Sequence, residues 1–240
     1  MMPKTAPPDP PAAPDGATSA RRRYGGVAAE QRADERRTRL LDSAMTLLAT
    51  QGYARTPIEQ LCADARVTAR HFYELFDSRE ALLAALYDRI IDELNSEALS
   101  ALQAAAPNPQ ALVTRVVGSV MRHYVGDARR ARIGVLEVVG VSAAMEQRRR
   151  AAIHGVARLI EQHLNQRVRA GELPPRNYRL ISIAVVGGIN ELLAEWLTAP
   201  NPPQIDVLID EVALMCQALL TGAAAFAGST AAAAPPHSMP

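Results

Sequence analysis

The stretch TPIEQLCADARVTARHFYELF, Thr56 to Phe76, constrains this chain more than any other. It fits two short helical patterns around one tight connection. Thr56, Pro57 and Glu59 stand where an N-cap, a first-turn proline and an N3 glutamate would form a capping box, so a helix is predicted to open there. Ile58, Leu61 and Cys62 give it an inward face. Ala65-Arg66-Val67 breaks the pattern, and Thr68 offers a second cap. At about 100° per residue, the next helix gathers Phe72, Leu75 and Phe76 on one side. Arg70, Tyr73 and Glu74 fall on the other, with Ala69 and His71 at the margins. Arg can bond guanine edges, Ala can touch a thymine methyl and Glu can accept from cytosine, so such a face suits a major groove. Taken alone it fits an ordinary amphipathic helix equally well; its neighbours decide.

Upstream, a helix is predicted from about Arg32, with Leu40, Leu41, Ala44, Leu47 and Leu48 on one stripe and Gly52 ending it. Downstream, Asp77 or Ser78 caps a long helix whose apolar stripe runs through Leu82, Leu83, Leu86, Ile90 and Leu94 towards Pro107. Arg79 in its first turn is placed to grip a phosphate, as is the helix start itself. Hydrophobic residues make up 48% of the 240, yet aromatics only 4%, and Ala and Leu outnumber β-branched residues, so the expected class is all-α. The formal net charge of +1 carries no global polyanion signature, and nucleic-acid binding would need a local patch. Lys4 is the lone lysine, so that patch would be Arg. Residues 1–31 are expected to be a disordered, basic, Pro/Ala-rich tail. Within it Arg21, Arg22 and Arg23 are either a solvated charge run or an arm for a minor groove.

Further helices are expected over 108–125, 127–141, 142–170, 177–197 and 205–225, with a disordered tail over 228–240. Cys62 and Cys216 stand far apart with no ligand spacing and are expected to be buried thiols in a reducing compartment. No unbroken run of about 18 apolar residues is present, so no membrane partner is expected and the chain is placed in the cytoplasm. No GxSxG, GxxxxGK[ST], HExxH or dinucleotide glycine pattern occurs. His71, His123, His154, His163 and His237 are scattered, and Glu191 and Glu195 lack a histidine partner. The expectation is therefore no enzyme, no cofactor and no metal.

Together, the first-helix pattern, Gly52-Tyr53 with Thr56-Pro57, the turn around Val67-Thr68, Phe72-Tyr73-x-x-Phe76 and then Ser78-Arg79-Glu80 with Leu82-Leu83 resemble the DNA-binding part of TetR-type (tetracycline-repressor) regulators. Arg66 departs from the pattern, which commonly has Gly in the turn. The resemblance implies a three-helix helix-turn-helix DNA-binding domain at 32–80 and a helical effector-binding and dimerisation domain at 81–227. It implies a homodimer on a double-stranded, pseudo-palindromic DNA operator, released by a small apolar or amphipathic effector. Ala69, Arg70, His71 and Glu74 would then read bases, and Thr56, Thr68, Tyr73 and Arg79 would hold phosphates. Met121, Tyr124, Val138, Met145, His154 and Asn190 are the candidate effector contacts. Gly187, Gly188, Leu192, Trp196, Leu208, Val212, Met215 and Leu219 are the candidate dimer contacts. An effector-independent DNA-binding accessory or architectural protein, which would have a filled core, is the alternative; an all-helical enzyme or carrier is the remote one.

Overall fold

The computed structural model describes residues 16–104 and 108–231, and every regular element among them is helical. The elements are α1 (Gly16–Gln51), α2 (Ile58–Ala65), α3 (Ala69–Tyr73), α4 (Arg79–Gln103), α5 (Pro109–Gly126), α6 (Ala128–Arg132), α7 (Ala143–Arg169), α8 (Arg179–Thr198) and α9 (Ile205–Ala231). A 3-10 turn at Tyr53–Arg55 follows α1, and a π-helical turn at Ile133–Glu137 follows α6. Side-chain caps are formed at four starts, three of them, Thr68, Ser78 and Asn108, at positions the sequence indicates. Thr68, Ser78, Asn108 and Ser142 each accept a backbone N–H three residues on, which satisfies one of the donors left open at a helix start.

Three elements differ from expectation. α1 begins at Gly16, where Ala- and Arg-rich sequence continues the helix upstream of Arg32 and carries the Gly25-Gly26 pair within it. The side chains of Arg21, Arg22 and Arg23, and the whole of residues 1–15 and 232–240, lie outside the described residues. Thr56 caps no helix: Pro57 occupies that position, and the Thr56 hydroxyl donates to the Gly52 carbonyl at 2.9 Å. The single helix expected over 127–141 is instead α6 plus the π turn. Gly134 lies in that turn so close to Tyr124 that a Cβ would sit 1.8 Å from the hydroxyl oxygen, and Gly140 with φ 74° closes the segment.

One contiguous core runs from α1 through α9. At its N-terminal end Leu40, Leu48, Leu61, Phe72, Leu82 and Leu83 are essentially inaccessible, locking α1, α2 and α3 onto the start of α4. The rest is a body in which α5 packs between α4 and α9, α7 packs on α8, and α6 bridges α1, α5 and α8. A smaller cluster of Leu164, Tyr178 and Ala223 ties together the ends of α7, α8 and α9 away from the helix-turn-helix. Among the described residues, α8 and α9 are long and apolar enough, by length and composition, to cross a membrane. The search for an unbroken run missed this, because Glu191 and Glu195 interrupt α8 and Asp206, Asp210 and Glu211 interrupt α9.

Candidate functional site

The turn between α2 and α3 is made by Arg66, the one non-glycine residue with positive φ among those described (53°, with ψ 46°). Its N–H bonds back to Ala63 and that of Val67 to Cys62, so the left-handed residue ends α2 as a glycine would. α3 is one turn shorter than its pattern. Its axis is pinned by buried Phe72, by Phe76 at a ring separation of 5.8 Å, and by Val67 beneath the turn. Arg37 from α1 lies over the Phe76 ring at 4.8 Å and seals that side.

The opposite side of α3 is open. Ala69, Arg70 and Glu74 are exposed, His71 is partly so, and Tyr73 keeps 57% of its surface despite its size. Arg70 Nε donates to Glu74 Oε1 at 3.1 Å across one turn, with both side chains largely solvated. Such a pair is worth less than about 1 kcal/mol, whereas a bidentate Arg–guanine contact is worth about 1–3 kcal/mol. The pair orients Arg70 without preventing it from exchanging Glu74 for a base. His71 Nδ1 lies 2.9 Å from Thr68 Oγ1, which steadies the exposed cap.

Two expected phosphate contacts are occupied differently. Thr56 has no exposed surface, so its side chain cannot reach a ligand. Arg79 is half-buried, stacks over Tyr53 at 4.2 Å and donates through Nη1 to the Thr56 carbonyl at 2.8 Å. It fastens the first turn of α4 to the segment before α2. Glu137 reaches the same place from the π turn: its Oε2 accepts the Tyr53 N–H at 2.9 Å, and Oε1 lies 3.4 Å from Arg132 Nε.

The body contains a cavity of about 400 Å³ bounded by α4, α5, the π turn, α7, α8 and α9. That is within the roughly 300–1,000 Å³ typical of small-molecule sites. Of the residues expected there, Met121, Tyr124 and Asn190 line it. Asn190 Nδ2 donates to the Val186 carbonyl at 2.9 Å, so its amide is satisfied without a ligand. Val138 and Met145 are corrected to core, both essentially inaccessible. His154 belongs to a shallow surface depression on α7 beside Arg150 and Arg158. The sequence reading missed Tyr87, Asn95, Gly134, His163, Arg167 and Tyr178. Polar groups interrupting apolar stripes were the available signal, as with Tyr87 between Leu86 and Ile90. Burial pushes the Tyr87 hydroxyl up to about 12 and the Tyr124 hydroxyl further still, so both stay protonated at neutral pH. Burial also depresses His163, helped by the positive charge of Arg167. Cys216, in the same wall, is a buried free thiol raised to about 11. Among the described residues no three His, Cys, Asp or Glu side chains gather where a metal could be held.

Of the dimer contacts, Leu208 and Val212 are corrected to protomer core, since they are buried within the single chain as α9 packs on α5. Gly188 faces Met215, its Cβ position 3.2 Å from the sulfur, and a Cβ on Gly187 would meet open space.

Residues 40–86, which hold α2, α3 and the start of α4, match the model of bacterial regulatory proteins of the tetR family. Over these residues the chain carries a TetR-type helix-turn-helix. Similar curated TetR-type proteins extend the match over the body. TtgR of Pseudomonas putida is 24% identical over 75% of this chain and 88% of its own. AcrR of Shigella flexneri is 28% identical over 72% and 83%. In fold, a TetR-family regulator from Syntrophomonas wolfei aligns with TM-score 0.69 at 18% identity, covering 79% of this chain and 96% of that one. FadR of Bacillus subtilis, solved with stearoyl-CoA, aligns with TM-score 0.66 at 18% identity over 77% and 98%.

Proposed function

We propose that this regulator is a cytoplasmic, ligand-responsive repressor that binds a pseudo-palindromic DNA operator as a homodimer. The observation that carries the reading is α3, a helix with Phe72 wholly buried behind it and Ala69, Arg70, Tyr73 and Glu74 turned outward. In this reading residues 32–80 bind DNA and 81–227 bind effector and partner. Ala69, Arg70, His71 and Glu74 meet base edges, while Thr68, Tyr73 and the first-turn amides of α4 meet phosphates. Arg79 contributes by holding α4 to the reader, with its remaining donors towards the backbone.

Dimerisation is supported by α8 and α9. Only 22% and 33% of their apolar windows are buried within the protomer, and Leu180, Val207 and Leu214 are exposed. A face of that kind requires a partner, and a second copy would place two α3 helices on one duplex. The cavity supports an apolar or amphipathic effector, as does the stearoyl-CoA bound by FadR. It also weighs against the effector-independent alternative, which expects a filled body. Selecting bound fragments from the native genome tests the reading: enrichment of an inverted repeat is expected, and enrichment without symmetry would overturn it.

A further inference from the structure

The cavity has a more specific shape and chemistry than an apolar pocket in general. Its lining follows α7 from Ala152 to Arg167 and α4 from Tyr87 to Leu102, about 22 Å along either helix at ~1.5 Å per residue. A volume of about 400 Å³ drawn out over that length makes the cavity long and narrow, a shape suited to an extended chain. Leu, Val and Ile dominate the walls; among the described lining residues the aromatic rings are Tyr87, Tyr124 and Tyr178, and no Asp or Glu is present to neutralise a cation.

The two ends differ. Asp88, next to Tyr87, pairs with Arg148 near the start of α7, so Tyr87 stands at the opposite end of the α7 wall from Arg167. That inner end is lined by Tyr87, Tyr124 and Gly134, all buried. At the other end Arg167 keeps 22% of its side chain exposed and pairs with Glu172 at 2.5 Å. His163, one turn earlier on the same face, buries its Nε2 with no hydrogen-bond partner. Asn95 Oδ1, in the α4 wall, is buried and unpartnered as well. Buried polar atoms without partners are costly, and a ligand head group supplies what they lack.

Resting on the reading of this cavity as the effector site, we propose that it takes one linear long-chain acyl group. The tail runs inward to Tyr87 and Tyr124, and the carboxyl-derived head sits between His163 and Arg167. The neutral imidazole donates from Nε2 to a carboxyl or carbonyl oxygen, and Arg167 supplies further donors. A carboxylate would replace Glu172 as the partner of Arg167, exchanging one ion pair for another.

Titration calorimetry on the full chain tests this with saturated acids from octanoate to stearate, methyl palmitate, palmitoyl-CoA and 1-pyrenebutyrate. Affinity is expected to rise about fourfold per added methylene and to level off near sixteen carbons, at roughly 1.25 Å of extended chain per methylene. Affinity independent of chain length, or pyrenebutyrate binding as tightly as palmitate, would overturn the proposal. Palmitate against palmitoyl-CoA distinguishes the free acid from its thioester as the source of the acyl group. Arg167→Leu and the milder Arg167→Gln should remove the preference of palmitate over methyl palmitate while keeping the chain-length series. An unchanged preference in both would overturn the placement of the head. Operator binding read alongside keeps the two levels apart. Palmitate that binds with this profile and never alters operator affinity sinks the regulatory reading alone, whereas release by pyrenebutyrate without acid binding sinks the ligand class alone.

Discussion

Arg66 sits in a conformation that costs an L residue about 1–2 kcal/mol, and the structure shows it in the turn that aims α3. Part of this cost is returned in the unfolded state, where glycine would be freer. Arg66→Gly is therefore expected to raise folding stability by about 0.5–1 kcal/mol, measured by urea denaturation. If Arg66 also meets a phosphate, operator affinity should fall equally on all sequences. Arg70→Ala should behave differently, costing about 1–3 kcal/mol of operator binding and relaxing preference at one base pair; equal losses on every sequence would refute its base-reading role. His163 gives a pH dependence of definite sign. Its folded value lies below the ordinary 6.5, so below that pH the unfolded chain takes up a proton that the folded chain resists. Stability should decline on acidification from pH 7.5 to 5.5, and His163→Gln should flatten that decline. The fate of single side chains was only partly legible in the sequence. Thr68 as a cap follows from local spacing, but the burial of Thr56 depends on Arg79 arriving from twenty-three residues away at its carbonyl, which no local pattern encodes.

At the level of elements, the first turn of α4 is a junction. Arg79 holds the helix-turn-helix through Tyr53 and Thr56, while the adjacent Glu80 accepts the Ser142 hydroxyl at 2.7 Å at the cap of α7. The π turn adds a second link: Gly134 in the cavity wall, and Glu137 on the Tyr53 amide. An occupant pressing on Tyr124 would meet Gly134 directly, and three residues later the chain grips the reader domain. Glu137→Gln weakens that grip by removing the charge from its hydrogen bond. It should shrink the change in operator affinity caused by an effector while leaving effector binding within about twofold. Gly134→Ala should destabilise the fold by about 1–3 kcal/mol, as overpacking does, visible as a lowered denaturation midpoint. Helix existence was readable here because caps and 3.6-residue stripes are local. The division of 127–141 into α6 and a π turn was not, because the side chain packed against that turn, Tyr124, comes from α5.

Across the whole molecule, the apolar excess of α8 and α9 was legible as a count but not as faces. Leu208 and Val212 look like the seam in sequence, yet they are spent on α5, and Leu180, Val207 and Leu214 are left outside. Leu180→Glu with Leu214→Arg should therefore convert a dimer to a monomer in sedimentation and lower operator affinity at least tenfold, since one short α3 holds DNA weakly without its mate. The cavity was the least legible feature, because a lining residue and a core residue carry the same hydrophobic code and differ only in whether a neighbour fills the space. The most direct test of the central reading is a titration of the purified chain against a genomically selected operator at several salt concentrations. Two protomers should bind each two-fold-symmetric site, with log affinity falling linearly in log salt and Arg70→Ala altering the preferred sequence. Binding that is monomeric, or that leaves sequence preference untouched by Arg70→Ala, would contradict it.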